Sequence, residues 1–289
     1  MNLKLNMAKG EKSMKKKLLL SIAMSISAIM LLTGCGAKGS ADTAKKGTFK
    51  VGLECGYAPF NWTQTDNSNG AVKIDGTSEY AGGYDIEIAK KIADGLGKEL
   101  VVVKTEWDGL VPALTSGKID AIVAGMSPTA KRKETIDFSD NYYKSDLVMV
   151  VKNGSKYQGA TSIQDFKGAK VTAQLNTFHY SVIDQIKGVA KQPAMDNFPA
   201  MRVALESGMI DGYVSERPEG VSAETANKNF KMVEFKDKFV TSNDDTAVAV
   251  GVAKGSELTP KINEILKGIS EEQRKTIMDT AIKNQPAAK

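Results

Sequence analysis

An eleven-residue pattern of this chain occurs twice. Ala113-Leu114-Thr115-Ser116-Gly117-Lys118-Ile119-Asp120-Ala121-Ile122-Val123 returns as Ala204-Leu205-Glu206-Ser207-Gly208-Met209-Ile210-Asp211-Gly212-Tyr213-Val214, with seven of the eleven positions identical. Each copy reads as a helix end, a glycine turn and a strand. A unit that recurs after about ninety residues predicts two similar lobes, one copy in each. Facing lobes make a cleft, and such interfaces are favoured places for a ligand.

Around the repeat, short β-branched runs alternate with amphipathic stretches from Thr48 onward, which predicts an α/β architecture with largely parallel sheets. Phe49 to Leu53 reads as the first strand. Tyr84 to Leu96 reads as a helix, with Ile86, Ala89, Ile92, Ala93 and Leu96 on one face and Gly97 as its stop. Leu100 to Lys104 is the next strand, Asp108 is placed to cap a helix reaching Ser116, and Ile119 to Ala124 follows as a strand. The chain is expected to cross between lobes at Tyr142 to Asp146 and again at Asp244 to Val248. That gives residues 48–143 with 248–289 to lobe one and 144–247 to lobe two, joined by two hinge strands.

The N-terminus is a targeting segment by pattern, not part of the fold. Lys15, Lys16 and Lys17 precede an apolar run from Leu18 to Leu32, too short to span a bilayer comfortably, and Leu32-Thr33-Gly34-Cys35 closes it. These four residues resemble a lipobox, which implies a signal peptide over 1–34 and a lipid on Cys35. Residues 36–47, small, polar and lysine-bearing, read with Cys35 as a flexible tether. The expected location is the extracytoplasmic face of a cell membrane. Met14 would also start a signal of ordinary length, so residues 1–13 fit an upstream start codon.

Without residues 1–34 the chain holds 33 basic and 33 acidic residues, so its basic balance belongs to the export signal. Nothing global then draws it to nucleic acid. With Cys35 lipidated, Cys55 has no partner for a disulfide within the chain, and the 255 residues that remain must be stabilised by their cores. His179 is the sole histidine, which removes most catalytic triads and any multi-histidine metal site, and no cofactor is expected.

Gly56-Tyr57-Ala58-Pro59-Phe60, Gly83-Tyr84-Asp85-Ile86-Glu87, and Ala124-Gly125-Met126-Ser127-Pro128-Thr129-Ala130-Lys131-Arg132 followed by Ile136-Asp137-Phe138-Ser139 form an ordered set. Together they resemble the polar amino-acid-binding proteins of ABC importers, from Thr48 to the C-terminal helices. The resemblance implies a two-lobed, type II periplasmic-binding-protein fold that closes over one free amino acid and docks, as a monomer, on a membrane permease with its ATPase. It implies that Arg132 holds the ligand α-carboxylate, with Gly125 and Ser127 supplying a carbonyl and a hydroxyl. Independently, Ser127-Pro128 reads as a helix start favouring an anion, and the arginine fork suits a carboxylate.

A ligand ammonium needs an opposing charge, and Glu216 stands where the family usually has aspartate; Glu219 nearby is the alternative. Glu54, at a position that often reads the ligand side chain in the family, joins Tyr57 and Trp107 at the distal end, with Phe60 and Trp62 as further aromatics. In lobe two, Gln174, Thr177 and His179 surround Asn176, which replaces the family's usual glycine. The acids favour a basic amino acid or glutamine, while Arg217 and His179 leave an acidic side chain or a cystine carboxylate open. An enzyme of the cyclohexadienyl dehydratase kind uses the same scaffold, and is the alternative. A thiol nucleophile at Cys55 is disfavoured because His179 falls in the other lobe.

Overall fold

The structure, a computed structural model, describes residues 47 to 286. Cys35, the apolar run before it and nearly all the tether therefore lie outside the described residues.

Two five-stranded sheets carry the fold, and they are built alike. The first runs in the order Glu99–Lys104, Thr48–Leu53, Ala121–Ile122, Ala247–Ala253, Ile136–Lys144. The second runs Ala190–Lys191, Lys170–Thr172, Gly212–Glu216, Leu147–Lys152, Phe230–Val233. In each, the first three strands are parallel and the fourth is antiparallel to both its neighbours. The expectation of largely parallel sheets is corrected to mixed ones. The reason is topological, since the reversed strand in each sheet is the one by which the chain arrives from the other. It leaves the first sheet after Lys144, enters the second at Leu147, and returns from Val233 to Ala247. A third, four-stranded sheet of short strands (Gly56–Tyr57, Asn61–Gln64, Tyr80–Gly82, Val72–Lys73, in that order) lies beside these.

The two copies of the repeat occupy the same third place. Strand Ala121–Ile122 follows the short helix Leu110–Thr115, and strand Gly212–Glu216 follows the helix Phe198–Ser207. Gly117 and Gly208 have φ of 73° and 79°, a left-handed turn that costs glycine no steric penalty. Each copy's aspartate then clips the neighbouring strand in the same two-bond way. Asp120 N–H donates to Lys50 O and its Oδ2 accepts from Lys50 N–H, both at 2.8 Å; Asp211 and Lys170 repeat this at 2.8 Å and 2.8 Å. The identity in sequence is thus an identity of structural function.

Local rules explain most elements. Thr48–Leu53 alternates exposed and buried residues before running fully buried, and Phe49, Val51 and Leu53 enter the first core. The helix Tyr84–Gly95 buries Ile88, Ala89 and Ile92 along one stripe against it. Asn197 caps the helix Phe198–Ser207, its Oδ1 accepting from Ala200 N–H at 3.0 Å, with Pro199 in the first turn. Ser270 and Gln273 form a capping box at the last helix, Glu271–Asn284. Among the described residues no helix is long and apolar enough to cross a membrane.

Two helix starts differ from expectation. Asp108 lies in a 3-10 turn, Trp107–Gly109, and makes no capping bond; its side chain accepts from Asn176 instead. The segment after Ser127-Pro128 becomes helical only at Ala130, for four residues, capped by Thr129. Ser127 is not the cap because its hydroxyl donates to the Asp245 carbonyl at 2.8 Å.

Candidate functional site

Every parallel strand of the two sheets ends beside the same place. Thr48–Leu53 leads to Glu54 and Tyr57, Glu99–Lys104 to Trp107, and Ala121–Ile122 to Gly125, Ser127 and Arg132. From the second sheet, Lys170–Thr172 leads to Gln174, Thr177 and His179, Ala190–Lys191 to Asp196 and Phe198, and Gly212–Glu216 ends on Glu216 itself. The carboxyl ends of parallel strands are where open α/β sheets present ligand groups, because successive loops converge there.

Direct contacts join the two sets. Gln174 Nε2 donates to Glu54 Oε2 at 2.9 Å and to the Asp196 carbonyl at 3.0 Å. Arg132 Nη2 donates to the Asn176 carbonyl at 3.2 Å, while its Nη1 donates to Ser127 O at 2.9 Å. Tyr57 and Phe198 stack face to face, centroids 4.3 Å apart and planes 6° from parallel. The cleft between the lobes is closed.

Glu216 is the electrostatic centre of the site. It is 1% exposed, and its Oε2 has no partner among the described residues. His179 Nε2 lies 3.5 Å from its Oε1, and neither histidine nitrogen is hydrogen-bonded among the described residues. Burial, then the charges of Glu216 and Glu219, push the Tyr57 hydroxyl well above its ordinary value. Burial lowers the Arg132 guanidinium to about 10, with Asp245 and Glu216 opposing the shift, so it stays charged at neutral pH. An unpaired buried carboxylate oxygen beside an aromatic hydroxyl and an imidazole is costly unless a donor meets it.

Glu54 is the second buried acid. Burial raises it to about 7, the Gln174 bond opposes the rise, and Glu106 and Asp85 add to it; its Oε1 is unpartnered among the described residues. Asp85, which no sequence pattern assigned a role here, lies beneath. It accepts from Asn61 Nδ2 at 2.8 Å and from the Tyr142 hydroxyl at 2.7 Å, and that hydroxyl accepts the Gly125 N–H at 3.2 Å. Burial raises Asp85 to about 7 against these bonds. Gly125 has φ 62°, and a Cβ there would meet Tyr57 Cε1 at 2.6 Å, so glycine alone fits.

Not every expected residue belongs to the site. Glu219, the alternative to Glu216, is engaged within lobe two: its Oε1 accepts from Arg202 Nε at 3.1 Å, Arg202 Nη2 at 2.8 Å and the Tyr213 hydroxyl at 2.9 Å. Phe60 is fully buried core, and Trp62 donates its Nε1–H to Gln64 away from the cleft. Thr177 Oγ1 donates to the Gln174 carbonyl at 2.7 Å, bracing the turn. Cys55 is buried with its thiol pushed up to about 12, foremost by burial, which leaves no thiolate for chemistry. Asp108, Asn176 and Phe198 join the site without having been assigned to it. For Phe198 the available signal was the Asn197-Phe198-Pro199 run, a helix cap followed by proline in the first turn.

Two lobes, shut on buried acids and one guanidinium contributed from strand ends of both, define a binding protein that encloses a small charged solute. The chain belongs to the bacterial extracellular solute-binding proteins, family 3, which match residues 49–282. It is 31% identical to the arginine-binding extracellular protein ArtP of Bacillus subtilis (strain 168), over 88% of this chain and 92% of that one. It is 32% identical to the ABC transporter glutamine-binding protein GlnH of the same organism, over 94% and 99%. Among solved structures it is similar to an amino acid ABC transporter substrate-binding protein from Streptococcus pneumoniae bound to L-arginine, with TM-score 0.72, 26% identity, and 82% of this chain and 94% of that one covered. The two-lobed α/β fold and the solute-binding role expected from sequence both hold, and elimination chemistry on this scaffold finds no support among these relatives.

Proposed function

We propose that this chain captures a free polar amino acid, arginine with its cationic side chain before glutamine with its neutral amide, and presents it to an ABC permease. Arg132 receives the α-carboxylate, Glu216 the ammonium with Gly125 O and Ser127 Oγ beside it, and Glu54 the distal group against Tyr57 and Trp107. The observation that carries this is the two buried acids at the cleft, Glu54 and Glu216, whose Oε1 and Oε2 respectively have no partner among the described residues, with the charged Arg132 guanidinium in the field of Glu216. One anion and two cations on the solute would meet one cation and two anions on the protein. The names of the relatives, arginine-binding and glutamine-binding, support these two solutes.

A melting series of the purified chain against the twenty amino acids tests it. A ligand at a thousand times its dissociation constant stabilises by about 4 kcal/mol. The largest shift is expected with L-arginine, and a flat panel would sink the reading.

Placement on the extracytoplasmic face of the cell membrane is part of the proposal. Leu32-Thr33-Gly34-Cys35 supports lipidation of Cys35 and retention on the extracytoplasmic face of the cell membrane through residues 36–47. Cys35→Ser is then expected to move the chain from the membrane pellet to the soluble extracytoplasmic fraction and to abolish palmitate labelling; continued pelleting would refute the anchor.

A further inference from the structure

At the solvent edge of the cleft, one residue of the second lobe grips two of the first. Asn176 Nδ2 donates to Asp108 Oδ1 at 2.9 Å, and the Asn176 carbonyl accepts from Arg132 Nη2 at 3.2 Å. Arg132 lies over the Trp107 ring, its Cζ 5.0 Å from the centroid. Trp107 is adjacent to Asp108 in sequence, so the first lobe presents an indole carrying a guanidinium, with a carboxylate beside it. Asn176 clips the carboxylate with its side chain and the guanidinium with its backbone.

Its conformation suits this double use. Asn176 has φ 55°, the left-handed region that asparagine enters more readily than other residues with side chains. Glycine would supply the same turn and the same carbonyl, but no amide to reach Asp108. From its own lobe Arg132 has one backbone acceptor, Ser127 O at 2.9 Å. A planar fork held at one point still swings; held at a second from the opposite lobe, it is fixed in plane and in rotation.

We propose that Asn176 is a positioning residue for Arg132: anchored on Asp108, its carbonyl sets the guanidinium to receive a carboxylate, and it does so only with the lobes shut. The proposal rests on the reading of Arg132 as the carboxylate clamp. Completion of the clamp and closure are then one event. A bound solute leaves only after both Asn176 bonds break, so the effect of losing them falls on dissociation rather than association.

The test is stopped-flow tryptophan fluorescence with L-arginine as probe, on the full chain carrying Trp62→Phe so that Trp107 alone reports, comparing this parent with its Asn176→Gly, Asp108→Ala, Asp108→Asn and Asn176→Gly/Asp108→Ala variants. Loss of one such hydrogen bond corresponds to roughly threefold to tenfold faster dissociation, with association within about twofold of wild type. The double variant is expected to dissociate no faster than the faster single one, because both changes remove the same bond. Asp108→Asn keeps the accepting oxygen and should remain near wild type, which a generally loosened turn would not achieve. Unchanged dissociation in both single variants, or additive effects in the double, would overturn the proposal. The clamp reading fails separately, by unchanged L-arginine affinity in Arg132→Lys. Paired fluorophores across the lobes of the ligand-free chain give a readout that needs no solute: equal closed fractions in wild type, Asn176→Gly and Asp108→Ala would also overturn the latch.

Discussion

Arg132→Glu is expected to weaken L-arginine binding by on the order of a thousandfold, the largest single loss in the site. Removing one partner of a buried, hydrogen-bonded charge pair costs about 2–5 kcal/mol, and reversal adds repulsion between like charges. The new carboxylate would stand in the fields of Asp245 and Glu216, which already act on Arg132. Its bonds to Ser127 O and Asn176 O would become contacts between acceptors. Arg132→Lys should fall between, at about tenfold, because it keeps the charge and loses the fork. Titration calorimetry reads both, with circular dichroism to show that the fold is intact. Retained affinity in Arg132→Glu would remove Arg132 from the carboxylate role.

The second large effect is on pH and belongs to Glu54. Its folded value of about 7 stands above the ordinary 4.5, chiefly through burial. In the ligand-free protein the folded state therefore binds its proton more tightly than the unfolded chain does. That contribution to stability is fully present below about 4.5 and is lost as pH rises towards 7. A cationic side chain reverses the preference, since it needs the ionised carboxylate. L-arginine binding should release a proton below pH 7 and strengthen roughly tenfold per unit up to there, then level off. Glutamine, with an uncharged amide, should show little slope. Asp85 has a similar value, so Glu54→Gln distinguishes the source. The variant should flatten the arginine profile and cost about a hundredfold at neutral pH, while glutamine binding changes little. A profile that survives in Glu54→Gln would assign the proton to Asp85.

Much of this was legible in the chain. The repeat marked the third strand of each sheet, and its two aspartates turned out to clip neighbouring strands by the same pair of bonds. Helix Tyr84–Gly95 ended within a residue of its expected limit, because its apolar stripe and Gly97 are signals within four residues of one another. Tyr57 and Arg132 came from the ordered motifs, and Glu54, Gln174, His179 and Glu216 from their positions beside strand ends; the structure brings the six to one cleft. What failed was whatever depended on a partner far away in sequence. Ser127 looked like a cap, yet its hydroxyl is taken by a carbonyl 118 residues on. Asp108 looked like another, yet it bonds Asn176, 68 residues on. Pattern favoured Glu216 and kept Glu219 as the alternative, because both sit at one strand-to-helix junction. The structure separates them, because Arg202 and the Tyr213 hydroxyl hold Glu219 Oε1 within lobe two, while Glu216 stands beside His179 and Tyr57 at the cleft.

The sequence by itself determined the local periods, the turns, the duplicated unit and the kinds of charge brought to strand ends, because each is set by neighbours along the chain. Tertiary structure alone decided the direction of the fourth strand in each sheet, the stacking of Tyr57 on Phe198 and the closure of Glu54 on Gln174 across 120 residues. Those depend on where two sheets stand relative to one another. That placement is set by the packing of whole cores, for which no short stretch of sequence carries a signal.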